Sequence, residues 1–199
     1  MAEYSQKIFI NCPFDEAYQE MFDAMLFTVF ECGFTPVSAK DIKDSSQNRL
    51  EKIFNMIEEC QYSINDISRV ELNNEKLPRF NMPLELGIFL GAKRYGKEHK
   101  NKKALIVDSE KFRYPKFISD ISGQDIEEHK NDSIILIKVI RNWIKSQINY
   151  SIPGAKEIQK QYKKFEDLKP TLMADMKLDL EDVTHSDYLE MLRIWQQLD

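Results

Sequence analysis

Short apolar runs alternating with helix-period segments constrain this 199-residue chain more than any other feature. Lys7-Ile8-Phe9-Ile10-Asn11 stops at Cys12-Pro13, the pattern of a strand buried on both faces. Asp15 then stands as a helix N-cap. Tyr18, Met21, Phe22, Met25, Leu26 and Val29 follow at helical spacing, to about Cys32, with a stop at Gly33. Phe34-Thr35-Pro36-Val37-Ser38 is a second strand, and its proline suits a sheet edge. After a polar loop over 40–46, Leu50, Ile53, Phe54 and Ile57 mark an amphipathic helix from Asn48 to about Cys60. Tyr62 to Ile67 is the third strand. A polar connection over 70–79 leads to a helix opening near Pro83, since proline fits a first helical turn. Lys103 to Asp108 is the fourth strand. The span 112–124 suggests a short helix and a small edge strand, and Ile137, Ile140, Ile144 and Ile148 set one face of a helix over 134–148.

Alternating strands and helices predict an α/β fold over residues 1–150, a parallel sheet with helices on both faces. Right-handed crossovers make a flavodoxin-like strand order, 2-1-3-4-5, the economical topology. Pro153-Gly154 breaks the pattern, so residues 151–199 are expected as a C-terminal helical extension. One helix is expected near 157–168 and another near 187–197, separated by Lys169-Pro170, with Thr184-His185-Ser186-Asp187 capping the last. Leu189, Leu192 and Trp195 form a stripe that needs cover, from the α/β core or from another copy of the chain.

Composition narrows the function classes. A net charge of −5 argues against a nucleic-acid polyanion as main partner, while leaving room for a small nucleotide in a locally basic pocket. No run approaches the roughly 18 apolar residues that span a bilayer, and the start lacks a signal-peptide layout. Cys12, Cys32 and Cys60 are an odd count without metal-ligand spacing, the usage of reduced, buried thiols in a cytoplasmic protein. His99, His129 and His185 are scattered, so no metal site is expected.

In such a sheet, ligands bind beyond the carboxyl ends of the strands. Three segments fall there: Asn11-Cys12-Pro13-Phe14-Asp15, Asp66-Ile67-Ser68-Arg69 and Asn81-Met82-Pro83-Leu84-Glu85. The first resembles the opening strand and ligand loop of nucleoside deoxyribosyltransferases, and Ile64-Asn65-Asp66-Ile67-Ser68 resembles their strand ending in Asp-Leu-Ser. Leu84-Glu85-Leu86-Gly87 resembles their Glu-Leu-Gly helix, whose glutamate is the nucleophile; TIR domains that cleave NAD use a glutamate on a comparable helix. The resemblance covers roughly the first 110 residues in the same order. It departs where Arg79 or Asn81 stands in place of a base-contacting aspartate, which argues against deoxyribosyl transfer itself.

The resemblance implies an N-glycosidase acting on NAD or a related nucleotide or nucleoside, with NAD as substrate and no resident cofactor, and by family analogy a role in bacterial defence or signalling. Glu85 would stabilise or capture the oxocarbenium centre and Asp66 would orient ribose or serve as acid. Asn11, Pro13, Phe14, Ser68, Arg69, Asn81 and Met82 would line the substrate. The alternatives are a nucleotide sensor that does not turn its ligand over, and a TIR-like interaction module; a homodimer or a regulatory protein partner fits either. Plainer readings stand beside these. Glu85 near a helix start is favoured by the helix dipole, and Asp66 and Asn11 at strand ends suit simple turns. Cys12 reads as a buried hydrophobe, and Gly87 and Gly91 as residues spaced for close packing against the sheet.

Overall fold

The computed structural model describes residues 3–41, 44–70 and 79–198, so most of the polar connection expected over 70–79 lies outside the described residues. Strands β1 (Lys7–Asn11), β2 (Thr35–Ser38), β3 (Tyr62–Asp66), β4 (Lys103–Asp108) and β5 (Glu127–Glu128) form one sheet of order β2-β1-β3-β4-β5. Every pairing is parallel, with Phe9 opposite Val37 and Ser63, and Ile64 opposite Leu105. The order and parallel sense match the sequence expectation. The fifth strand does not fall within 112–124: that span forms 3-10 turns at Tyr114–Lys116 and Ser119–Ile121, and the strand follows them.

Helices α1 (Gln19–Glu31), α2 (Arg49–Glu59) and α3 (Asn81–Tyr95) connect the first four strands, α4 (Ser133–Gln147) follows β5, and α5 (Ala155–Asp175) and α6 (His185–Leu198) complete the chain. Period-2 alternation along β1 divides the core. Ile8, Ile10 and Cys12 face α1 and α4, while Phe9 packs with Ile53, Ile57 and Phe89 of α2 and α3. The same alternation later decides which functional residues can meet.

Local signals explain most boundaries. Asn48 caps α2, its side chain accepting from the Leu50 N–H at 2.8 Å, and Asp132 caps α4 by accepting from Ile134 and Ile135. Asp15 does not cap α1; a 3-10 turn, Glu16–Tyr18, intervenes, and the Asp15 carboxylate turns instead to Arg69 and Arg79. Gly33 ends the helix region at φ +80°, a conformation that favours glycine. On α2, Ile53 and Ile57 are buried but Leu50 and Phe54 remain partly exposed.

Two further expectations fail. Pro170 does not separate helices, because α5 runs through it to Asp175. Pro170 lies at the exposed side, where the carbonyl it leaves unpaired can meet water, while Phe165 and Leu172 are buried on either side of it. Burying two such side chains outweighs the ~3 kcal/mol a helical proline costs. Nor do Gly87 and Gly91 pack against the sheet: a Cβ built on either would meet nothing within 4 Å. Their side of α3 points outward, and the sheet contacts come from Leu86 and Phe89.

The C-terminal helices join the α1–α4 side of the core rather than standing apart. Leu192 and Trp195 are buried, Trp195 Nε1 donates to Glu31 at 3.0 Å, and Lys169 pairs with Asp23 at 3.1 Å. Thr184 and Asp187 exchange hydrogen bonds at the start of α6, as the capping pattern implied. No helix among the described residues is long and apolar enough to cross a membrane.

Candidate functional site

The three segments singled out in the sequence do reach the carboxyl rim of the sheet, where the strand order reverses between β1 and β3. The sheet then splits them. Asn11 and Asn65 point to the α3 side, because Asn11 Nδ2 donates to Asn65 Oδ1 at 3.2 Å and to the Met82 carbonyl at 2.8 Å. Asp66, one residue on, points to the α1–α4 side with Ile64. Cys12 is on that same side with Ile10, within electrostatic reach of Asp66, Lys40, Glu85 and Asp15.

On the α3 side Glu85 is the chemical centre. It is 5% exposed, in the second turn of α3, and no described residue donates a hydrogen bond to its carboxylate. Burial pushes its pKa up to about 7, against the lowering pull of Arg49 at the start of α2. Arg49 is exposed at the start of α2, yet it is the cation that this carboxylate feels. Asn11 ties the first turn of α3 to the end of β1, so the helix carrying Glu85 is held to the sheet where the glutamate begins. Asn81 is exposed, and Met82 is buried with its carbonyl on Asn11.

On the α1 side Asp66 is fully buried and its oxygens are occupied. Oδ1 accepts from the Ser68 N–H at 2.7 Å; Oδ2 accepts from the Tyr18 hydroxyl and lies 3.0 Å from His129 Nε2. That last contact has the distance of an ion pair without the alignment of a hydrogen bond. Nδ1 of His129 accepts from the Asn131 N–H at 3.0 Å, so the ring proton sits on Nε2, toward Asp66. Burial alone would raise the Asp66 carboxyl, but His129, Ser68 and Tyr18 outweigh it and hold the group below the usual carboxylate range. Asp66 thus faces inward, its oxygens engaged by Tyr18, Ser68 and His129.

Tyr18 and Ser68 also line a cleft of about 300 Å3, with Ala17, Arg69, Ser109 and Asn131 among the other residues around it. Arg69 reaches it while pairing with Asp15 at 3.5 Å, and Arg79 approaches the same carboxylate at 3.4 Å. The Ser68 hydroxyl is buried without a partner among the described residues. Arg113 clamps the neighbouring strand ends, its Nη2 2.7 Å from Asp108 Oδ1 and donating also to the Ser68 carbonyl. Pro13 is buried at the rim. Phe14 is half-buried, edge-on to Phe22 at 5.3 Å with the Lys40 ammonium over its ring.

Tyr18, Asn65, Arg113 and His129 escaped the sequence reading. Tyr18 kept helical spacing and passed as core; His129 stood alone, more than sixty residues from the carboxylate it serves. Only the pair Asn65-Asp66, two polar residues ending an apolar strand, signalled that both faces of the rim are polar. Burial, foremost, and the charge of Asp66 push the Cys12 thiol well above its ordinary range, which keeps it an inert thiol. No family model matches the chain and no curated protein matches it significantly, so the fold and the rim geometry carry the functional reading.

Proposed function

We propose that this protein is an N-glycosidase acting on a nucleotide or nucleoside, with NAD the favoured form and Glu85 the catalytic residue. The observation that carries the reading is the Glu85 carboxylate: buried at the carboxyl rim of a parallel sheet, without a hydrogen-bond donor among the described residues, its pKa raised to about 7. The order of the strand-end and helix motifs, which resembles nucleoside deoxyribosyltransferases and TIR-like proteins, supports the same assignment.

In this scheme the C1′–N bond breaks with its electron pair leaving on the base, and positive charge develops on the sugar. The Glu85 carboxylate stabilises that charge or captures C1′ as an ester, and water supplies the hydroxyl that completes hydrolysis. The pyridinium of NAD suits such a site twice over. A cation beside Glu85 favours its ionised form, and the nicotinamide departs neutral, so no strong general acid is needed. Asp66 acts indirectly, fixing Tyr18 and the Ser68 backbone at the cleft. Arg69 and the Ser68 hydroxyl supply a cation and a polar group for phosphate or ribose.

Mass spectrometry of the protein incubated with NAD and a panel of nucleosides tests the proposal, with Glu85→Gln alongside. Release of nicotinamide or a free base by the native chain alone is the expected result. Full activity in Glu85→Gln sinks the assigned role. A nucleotide retained intact without product would make the rim a sensor instead.

A further inference from the structure

The outer edge of β4 is only half covered. Backbone groups alternate sides along a strand: the Lys103 N–H donates to the Gln61 carbonyl and the Val107 carbonyl accepts from Ile67, so Lys103, Leu105 and Val107 serve the β3 side. Ala104, Ile106 and Asp108 serve the other side. There β5 pairs only with Val107 and Asp108, and the His129 N–H adds a bond to the Asp108 carbonyl. The N–H and C=O of Ala104 and the N–H of Ile106 are left without a strand partner among the described residues. Such an edge is a template for another strand.

A groove of about 630 Å3 runs along this edge, with Ala104, Leu105 and Ile106 on one side. The opposite wall is α4, which presents the partly buried apolar side chains of Ile135, Val139 and Trp143 at spacings of four residues. Asp125 and Glu127 stand exposed at the groove, two carboxylates against the single ammonium of Lys138. Unmet backbone donors and acceptors at strand spacing, beside an apolar wall on one face, define the occupant chemically. It is an extended peptide whose alternate side chains are apolar.

We propose that this groove binds an extended segment of a partner protein by strand addition to β4. Its apolar residues would pack on Ile135, Val139 and Trp143, and the basic residues between them would face Asp125 and Glu127. The assignment does not depend on the rim chemistry, since none of the groove residues belongs to that site.

The test titrates the full chain with an acetylated, amidated hexapeptide of alternating valine and lysine, following amide hydrogen exchange by NMR. Exchange at Ala104 and Ile106 should slow at saturating peptide. Ala104→Pro removes an outward N–H and leaves the β3 ladder whole, so it should weaken binding roughly tenfold with the melting temperature held. Should Ala104→Pro fold poorly, Val139→Lys on the wall of α4 should weaken binding instead. The same peptide N-methylated at alternate amides should not bind. Four outcomes overturn the proposal: no binding at millimolar peptide, or binding indifferent to all three changes. The third is protection of Ala104 and Ile106 already present in the dilute free protein, with 124–126 closing on β4. The fourth is protection that appears only as the protein dimerises, which would give the edge to a second copy.

Discussion

The side-chain amide of Asn11, at the end of β1, donates to the Met82 carbonyl in the first turn of α3 at 2.8 Å. This bond joins the first strand to the helix that carries Glu85, across 71 residues of sequence. Both groups are buried, so Asn11→Ala leaves the Met82 carbonyl and the Asn65 side chain short of a donor. The expected loss is about 1–3 kcal/mol, read from urea unfolding midpoints. If the bond also sets the position of Glu85, kcat for the proposed hydrolysis falls more than KM rises; an unchanged kcat would make the bond purely structural.

Glu85 should make stability depend on pH in a defined direction. Its folded pKa of about 7 lies above the ordinary 4.5, so the native state holds its proton more tightly than the unfolded chain. The favourable contribution is complete below 4.5 and is lost as pH rises to about 7. Glu85→Gln should thus be near neutral at pH 4 and stabilising at pH 8 by up to about 3 kcal/mol. Unfolding at the two pH values, compared for both proteins, checks it; equal differences at both would contradict the burial of this carboxylate.

Asp66 and His129 should be energetically coupled. Asp66→Asn replaces an acceptor that serves Tyr18, Ser68 and His129 together, and should cost about 3 kcal/mol. His129→Ala removes the same contact from the other side, so the double variant should lose less than the sum, by about 1 kcal/mol or more. Simple additivity in a double-mutant cycle would mean that the 3.0 Å approach contributes nothing.

Gly87 and Gly91 offer stabilisation without a packing cost. Each sits in α3 with open space where a Cβ would go. Gly87→Ala and Gly91→Ala should each raise stability by about 0.5–1 kcal/mol through helix propensity, measurable as a higher melting temperature. Destabilisation of the isolated chain by either change would show that this side of α3 is covered after all.

The sheet was legible in the residues because its signals are local. Apolar runs ending at Cys12-Pro13 and Asp66-Ile67, helical periodicity and Gly33 mark the elements through neighbours in the chain, and the right-handed rule for crossovers makes the observed strand order the economical one. The helix through Pro170 was not legible: proline is a local signal for a break, and the burial of Phe165 and Leu172 that overrides it is tertiary. The outward turn of Gly87 and Gly91 was hidden for a related reason, because spacing shows that two residues share a helix face but not what that face meets.

The sequence alone determined that Asn11, Asp66 and Glu85 would arrive at one rim, because parallel strands of this order all end there. Tertiary structure decided how that rim divides. Side chains on a strand alternate, so Asn11 and Asn65 turn toward the helix of Glu85 while Asp66 turns away, to Tyr18 and His129. A contact between residues sixty positions apart leaves no periodic mark in a single sequence, and a carboxylate's protonation depends on how completely folding removes water from it. That is why Asp66, alike in sequence to a site acid, became a buried anchor, and Glu85 a carboxyl poised near neutrality.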